Sequence, residues 1–174
     1  MRRIVVYGVT GSGKSTLAAR VGERLGIPYH SIDDLTWRPG WVPKSDQEQR
    51  DLIRALLAGD EWVIDAGYAI WMDLVLERAD LIVGLDMPRW VSYTRLVRRT
   101  VGNIVHKRAI CNGNYETWRL ALLSRDSMLY FHIGSFRRKQ ARMRLWQASP
   151  EFPETVLLHS PAEAERWLDG LKVG

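Results

Sequence analysis

The stretch YGVTGSGKSTLAAR, at residues 7–20, decides how this chain begins its fold. The apolar, β-branched run IVVYG at residues 4–8 leads into it and predicts a strand that is buried on both faces. Beyond the glycines, Leu17, Val21 and Leu25 recur at four-residue intervals, which is the spacing of one helix face. The pattern therefore predicts a strand, a tight glycine-containing loop and a helix that begins at about Lys14.

The loop matches G-x-x-x-x-G-K-[ST], the Walker A or P-loop motif, from Gly8 to Ser15. Glycines let successive backbone N–H groups turn toward one anion, and the positive end of the following helix faces the same point. Lys14 is then expected to act as a catalytic group at the β- and γ-phosphates, while Ser15 ligates Mg²⁺. We predict that the nucleotide is held by Gly8, Thr10, Gly11, Ser12, Gly13, Lys14, Ser15 and Thr16.

Four further apolar runs alternate with segments of helical period. The runs are IPYHSI at 27–32, EWVIDAG at 61–67, DLIVGLD at 80–86 and ETVLLHS at 154–160. Ser45 and Glu48 have the spacing of a capping box, and Pro88 and Pro161 are each expected at the start of a helix. This alternation predicts an α/β protein of one domain, residues 1–174, in which helices cover both faces of a five-stranded parallel sheet. Residues 101–149 carry no strand signal.

Aspartates follow the second and third predicted strands, at the edge where an open α/β sheet binds its ligands. Asp65 ends the apolar run WVID in the form of a Walker B strand, and we predict that it holds Mg²⁺ and faces the substrate. Asp33 and Asp34 are expected to bind the acceptor substrate, with Asp34 as the catalytic carboxylate. Asp34 fits equally well as a helix cap.

Charge and cysteine content limit the partners and the compartment. Lys and Arg number 25 against 20 Asp and Glu, and the resulting net charge of +5 favours anionic partners without choosing among them. The single cysteine, Cys111, excludes an intramolecular disulfide and suits a reducing cytoplasm. The start MRRIVVYGV is broken by the glycine loop, and no long apolar stretch follows. We therefore predict a cytoplasmic protein with no membrane segment.

Basic residues concentrate at positions 95–108 and 137–144. Phosphoryl transfer needs cations around the migrating group, and Arg99 and Arg138 are the candidates that we assign to catalysis. The alternative is that most of these residues form solvated helix faces.

With the P-loop, Asp34, Asp65, LDMPRW at 85–90 and LLHSPAEAERWL at 157–168, the chain resembles the adenylate kinase-like P-loop kinases. The stretches IDDLTWRPGW at 32–41 and WVIDAGY at 62–68 are similar to a bacterial subgroup of these kinases known as DNA topology modulation proteins.

The resemblance implies a three-layer α/β/α P-loop NTPase fold, with ATP as the donor and Mg²⁺ as its ion. It also implies that Arg95 and Arg99 flank the donor's adenine and phosphates, and that Ser160 lies in the loop beside the base. Residues 101–149 would then be a helical lid inserted into a core of residues 1–100 and 150–174. The arginine that follows the third-strand aspartate in adenylate kinases is missing here, and Arg38 lies near the position of the other acceptor arginine.

Three functions remain open from the sequence. The first is an ATP-dependent phosphotransferase of the nucleoside monophosphate kinase type, with a small-molecule acceptor. The second is a kinase that phosphorylates a hydroxyl group of a nucleoside or sugar, for which the paired aspartates are suited. The third is a nucleotide-binding regulator that contacts DNA through its basic helices. The sequence does not choose between ATP and GTP.

Overall fold

The computed structural model describes residues 2–124 and 127–171. The strands are β1 (Arg3–Gly8), β2 (Tyr29–His30), β3 (Trp37–Arg38), β4 (Val42–Pro43), β5 (Trp62–Ala66), β6 (Leu81–Leu85), β7 (Ala109–Ile110), β8 (Asn114–Tyr115) and β9 (Glu154–Leu158). The helices are α1 (Lys14–Leu25), α2 (Ile32–Thr36), α3 (Asp46–Leu57), α4 (Met72–Arg78), α5 (Arg89–Val105), α6 (Trp118–Leu123), α7 (Met128–Ala148) and α8 (Pro161–Gly170).

Five strands form one parallel sheet in the order β2-β5-β1-β6-β9. The register places Val6 of β1 beside Asp65 of β5 on one side and beside Val83 of β6 on the other. The five predicted strands and the parallel α/β fold are therefore confirmed. Because β1 is central, the loop that follows it emerges in the middle of the sheet edge.

Two apolar layers cover the sheet, as expected for strands that are buried on both faces. On one face, Ile64 and Tyr7 pack with side chains that include Ile53 and Trp71. On the other face, Val6 packs with Val21 and Leu168.

Several predicted helix ends are confirmed. Gly26 ends α1 in the left-handed conformation, with φ of 67°. Ser45 and Glu48 form the complete capping box at the start of α3, and Pro161 begins α8. Pro88 is the N-cap of α5, so the helix starts one residue later than predicted.

The segment predicted as a helical lid, residues 101–149, includes helix α7, and this division of the chain stays a prediction. Helix α7 packs against β1 and β9, and its Met143 and Trp146 belong to the main core. The ring of Trp146 meets Tyr7 of β1 edge-on, with centroids 4.8 Å apart. The C-terminal part of α7 is thus core, and the segment that precedes it also contains the short antiparallel pair β7–β8, which carried no sequence signal.

No helix among the described residues combines the length and apolar character that crossing a bilayer requires.

Candidate active site

The glycine loop between β1 and α1 has the backbone that its sequence predicts. Gly13 is the N-cap of α1 with φ of 99°, and Gly11 has φ of 82°. A Cβ on Gly11 would also lie 2.3 Å from the Ser92 carbonyl oxygen of α5, so only glycine fits there. The first turn of α1 has no acidic residue and no side-chain cap, which leaves its N–H groups available to an anion.

A cavity of about 430 Å³ opens above this loop and forms the candidate donor site. Arg95 and Arg99 of α5 line it on one side, and Pro161 lines it at the start of α8. The Arg95 guanidinium donates a hydrogen bond from Nη1 to the Ser12 carbonyl oxygen, at 3.4 Å. Six of the predicted P-loop residues line the same cavity, namely Gly11, Ser12, Gly13, Lys14, Ser15 and Thr16.

Three other predicted nucleotide ligands lie elsewhere. Gly8 ends β1, where a Cβ would come within 2.6 Å of the Ser12 hydroxyl oxygen, so its role is to let the loop turn. Thr10 lines a second cavity instead. Ser160 accepts a hydrogen bond from the Glu163 N–H and thereby caps α8 beside the donor cavity.

Asp65 and Ser15 come together at the end of β5, as the sequence predicted for two Mg²⁺ ligands. The Ser15 hydroxyl donates a hydrogen bond to Asp65 Oδ2, and the Ile32 N–H donates one to Oδ1 at 3.1 Å. Burial raises the pKa of Asp65, while the Ser15 hydroxyl and the charge of Lys14 oppose that shift. A hydroxyl and a carboxylate oxygen suit Mg²⁺, whose other ligands would be phosphate oxygens and water.

The structure separates the adjacent aspartates of α2. Asp33 lines the second cavity, and its Oδ1 accepts a hydrogen bond from the Tyr68 hydroxyl at 2.7 Å. Asp34 is exposed, lines neither described cavity, and accepts from the Asn112 N–H at 3.1 Å. Of the two aspartates predicted at the acceptor, Asp33 is therefore the one at the second cavity, and the identity of the catalytic carboxylate stays a prediction. Asp34 is not a helix cap either, because it lies inside α2.

Two predicted basic residues line neither described cavity. Arg38, expected at the acceptor, forms an ion pair with Glu48 at 2.5 Å on the protein surface. Arg138, expected at the transferred group, is exposed on α7 and lines neither cavity.

Lys139, the neighbour of Arg138, is the functional candidate that the sequence analysis missed. Its side chain is only 5% exposed and lines the second cavity. A Cβ added to Gly67 would lie 3.4 Å from its Nζ and 3.5 Å from Lys14 Cε, so the two lysines flank one backbone position. Burial and the charge of Lys14 lower the pKa of Lys139 to about 7, although Asp33 favours its charged form. The spacing of Lys139 from the buried His132, Phe136, Met143 and Trp146 is the signal that identifies its inward face.

The second cavity, of about 780 Å³, is the candidate acceptor site. It begins at the P-loop, because Lys14 and Arg99 line both cavities. Asp33 and Lys139 lie on its wall as well.

Two small hairpins meet beside the acceptor cavity and bind each other through asparagines; we call the β3–β4 and β7–β8 pairs together the clasp. Asn114 is buried, accepts from the Trp41 N–H at 2.8 Å and donates to the Arg38 carbonyl oxygen at 3.0 Å. Asn112 donates to the Trp37 carbonyl oxygen at 3.0 Å. Cys111, in the same turn, lines the cavity, and burial raises the pKa of its thiol to about 12. The thiol is therefore protonated at neutral pH.

The known proteins that are similar to this chain include several kinases. No family model matches the chain. The chain is 30% identical over 149 residues to the shikimate kinase of Mycobacterium avium (strain 104), covering 78% of this chain and 82% of that protein. It is 29% identical over 131 residues to the cytidylate kinase of Aeropyrum pernix, covering 66% of this chain and 73% of that protein. The crystal structure of a gluconokinase from Sinorhizobium meliloti 1021 has the same fold, with a TM-score of 0.55, 21% identity, and coverage of 97% of this chain and 91% of that chain.

The likeness to the shikimate kinase extends over most of both chains, and the P-loop, Asp65 and the five-stranded sheet occur together in one fold. The chain therefore belongs to the P-loop kinase family that includes the shikimate kinases.

Proposed function

We propose that this kinase transfers the γ-phosphoryl group of ATP to a hydroxyl group of a small molecule bound in the acceptor cavity. The observation that carries this proposal is the position of Asp33, a carboxylate that lines the acceptor cavity and is oriented by the Tyr68 hydroxyl at 2.7 Å. A hydroxyl nucleophile gains from a carboxylate that accepts its proton, whereas a phosphate nucleophile does not need one.

The donor half would be held by the P-loop. The N–H groups of residues 11–16 and the Lys14 ammonium would bind the phosphates, and Arg95 and Arg99 would lie along the nucleotide. Ser15 and Asp65 would hold Mg²⁺, which neutralises charge on the phosphates when bound.

In the transfer itself, the acceptor hydroxyl oxygen forms a bond to the γ-phosphorus while the bond to the β,γ-bridging oxygen breaks, so that ADP leaves. The hydroxyl proton passes to the Asp33 carboxylate. Lys139 would stabilise the migrating group, because the nearby phosphate charge favours its protonated form. Arg99, which lines both cavities, would do the same from the side of α5.

The nucleoside monophosphate alternative is weaker in this geometry. It requires arginines around the acceptor phosphate. Arg38, however, is paired with Glu48 at 2.5 Å. The second residue after Asp65 is Gly67, which lies near Lys14 and Lys139. Because the chain is 29% identical to a cytidylate kinase, the transfer assay described below includes nucleoside monophosphates as acceptors. The similarity to topology modulation proteins suggests a third candidate function, binding to DNA. It is supported by exposed arginines such as Arg137 and Arg138. Exposed arginines alone provide salt-sensitive, non-specific affinity for DNA.

The test is transfer from γ-labelled ATP, with Mg²⁺, into hydroxyl compounds and nucleoside monophosphates. We expect a phosphate monoester that is stable to acid and sensitive to phosphatase. Formation of a nucleoside diphosphate, whose anhydride bond is acid-labile, would instead identify a phosphate acceptor. ATP-dependent tightening of DNA binding without any transfer would favour the regulatory alternative.

A further inference from the structure

The phosphate-binding loop places a hydroxyl-bearing residue in the acceptor cavity. Of the five central residues of the loop, all within the described part of the chain, Gly11 and Gly13 have no side chain. Val9 and Ser12 are buried, at 2% and 1% exposed. Thr10 is half-buried and lines the acceptor cavity, but it does not line the donor cavity. It is therefore the residue of this loop whose side chain can contact an acceptor.

The backbone of the loop determines the side on which Thr10 lies. The Ser12 N–H donates a hydrogen bond to the Val9 carbonyl oxygen at 3.2 Å, so Thr10 and Gly11 are the two central residues of a β-turn. Gly11 has φ of 82°, and a Cβ added to it would lie 2.3 Å from the Ser92 carbonyl oxygen. Gly11 therefore faces helix α5, and Thr10, at the other corner of the turn, borders the acceptor cavity.

The hydroxyl group of Thr10 has no partner within the described residues. Other hydroxyl groups near the P-loop are engaged, since Ser15 donates to Asp65 and Tyr68 donates to Asp33. A threonine hydroxyl has one donor and two acceptor sites, and a half-buried polar group gains stability when a ligand supplies its partner. The Thr10 hydroxyl is thus available to whatever occupies the acceptor cavity.

We infer that Thr10 binds the acceptor, by donating a hydrogen bond to the oxygen that attacks the γ-phosphorus. The inference rests on the proposed function, since it concerns the same reaction. An attacking hydroxyl oxygen has one proton and two lone pairs. The proton passes to Asp33 and one lone pair forms the bond to phosphorus, which leaves the second lone pair for the Thr10 hydroxyl.

This role differs from the roles of the charged groups that line the same cavity. Lys14 and Lys139 are suited to the migrating phosphoryl group, and Asp33 is suited to the proton. A threonine hydroxyl does not ionise at neutral pH, so Thr10 orients the acceptor without taking its proton. As the proton leaves, negative charge develops on the attacking oxygen, and the hydrogen bond from Thr10 becomes stronger.

The experiment separates the hydroxyl of Thr10 from its size. Thr10→Val keeps the branched shape and removes the hydroxyl, whereas Thr10→Ser keeps the hydroxyl and removes the methyl group. Thr94→Val is the matched control, because Thr94 is exposed on α5 and lines neither described cavity. For each protein, kcat and KM are measured with the acceptor found in the transfer assay. The Kd for a non-hydrolysable ATP analogue with Mg²⁺ and the Tm are measured separately.

Thr10→Val should lower kcat/KM for the acceptor by about tenfold to a hundredfold, because it loses a hydrogen bond to an oxygen that becomes charged. Thr10→Ser and Thr94→Val should stay within a few-fold of the parent protein. The Kd for the ATP analogue should be the same in all of them, since Thr10 does not line the donor cavity. If Thr10→Val lowers the Tm, Thr10→Ala replaces it, because alanine removes the hydroxyl without adding bulk.

An unchanged kcat/KM in Thr10→Val would overturn the inference and leave the proposed function intact. The same holds for equal losses in Thr10→Val and Thr10→Ser, or for a weaker Kd for the ATP analogue that accounts for the loss. Absence of transfer to every hydroxyl compound by the parent protein would overturn the proposed function. If nucleoside monophosphates are phosphorylated instead, the same variants still decide whether Thr10 binds the attacking oxygen. Absence of transfer to both classes would overturn both.

Discussion

The hydroxyl of Ser15 donates a hydrogen bond to the carboxylate of Asp65, although the two residues are 50 positions apart in the chain. The contact joins the first turn of α1 to the end of β5, so the phosphate-binding loop and the strand-end carboxylate are held as one unit. Both side chains supply the hard oxygen ligands that Mg²⁺ prefers.

Asp65→Asn should stabilise the unliganded protein and weaken its binding of magnesium nucleotide. Burial raises the pKa of Asp65, so the ionised carboxylate costs stability at pH values above its folded pKa, and the cost disappears as the pH falls below the unfolded pKa. At neutral pH we therefore expect a higher Tm for the unliganded variant than for the parent protein. Thermal unfolding with and without MgATP measures both effects. Equal stabilisation of the two proteins by MgATP would contradict the assignment of Asp65 to the metal.

Lys14→Ala should lower the affinity for MgATP by about tenfold to a hundredfold, since a hydrogen bond to a charged group contributes about 1.5–3 kcal/mol. Calorimetric titration gives the Kd directly. Arg137→Ala is the control for loss of one positive charge, because Arg137 is exposed and lines neither described cavity. Unchanged nucleotide affinity in Lys14→Ala would remove this lysine from the donor site.

Lys139→Met should alter the pH dependence of stability. The pKa of Lys139 is about 7 in the folded protein against 10.5 as its ordinary value. Between these values the unfolded chain holds a proton that the folded protein lacks, so the stability of the unliganded protein rises with pH across this window. Below it the full cost of burying the charge is present. Denaturant unfolding at about pH 6 and about pH 9 should show this rise in the parent protein and a smaller one in Lys139→Met. If the stability of Lys139→Met rose with pH as much as that of the parent protein, Lys139 would not be the source of the rise.

Asn114→Ala should open the clasp. The variant loses the hydrogen bond that Asn114 accepts from the Trp41 N–H and the one that it donates to the Arg38 carbonyl oxygen, which leaves two partly buried backbone groups unpaired at a cost of about 1–3 kcal/mol. Hydrogen exchange should accelerate at residues 37–43 and 109–115, and the KM for the acceptor should rise more than the Kd for MgATP. Asn112→Gly is the milder comparison. Glycine adopts the φ of 62° at residue 112 without strain, and the hydrogen bond from the backbone N–H of residue 112 to Asp34 Oδ1 is kept. Slow exchange in both hairpins of Asn114→Ala would contradict the clasp.

The parallel sheet and the donor loop were predictable because local patterns determine them. The β-branched run before Gly8, the Walker A spacing and the capping box at Ser45 each constrain a few neighbouring residues, and the structure contains all three. The two-residue strands of the clasp had no such pattern, since their geometry depends on Asn114, which bonds to residues more than 70 positions away.

The acceptor side was less predictable because it depends on side-chain direction. Asp33 and Asp34 are adjacent in the sequence, but helix α2 directs the Asp33 side chain to the acceptor cavity and the Asp34 side chain to Asn112. The same holds for Arg138 and Lys139 on α7, where the face of the helix decides which residue is buried. Charge alone favoured the arginine, and only the packing of the helix identifies the lysine.

The paired variants Asp33→Asn and Asp34→Asn test the central claim most directly, because they remove the same charge at adjacent positions. With the acceptor found in the transfer assay, kcat is measured for both variants together with the Kd for MgATP. We predict that Asp33→Asn lowers kcat by about 10²-fold or more and leaves the Kd unchanged, while Asp34→Asn stays within a few-fold of the parent. Loss of turnover in Asp34→Asn with near-normal turnover in Asp33→Asn would contradict this account.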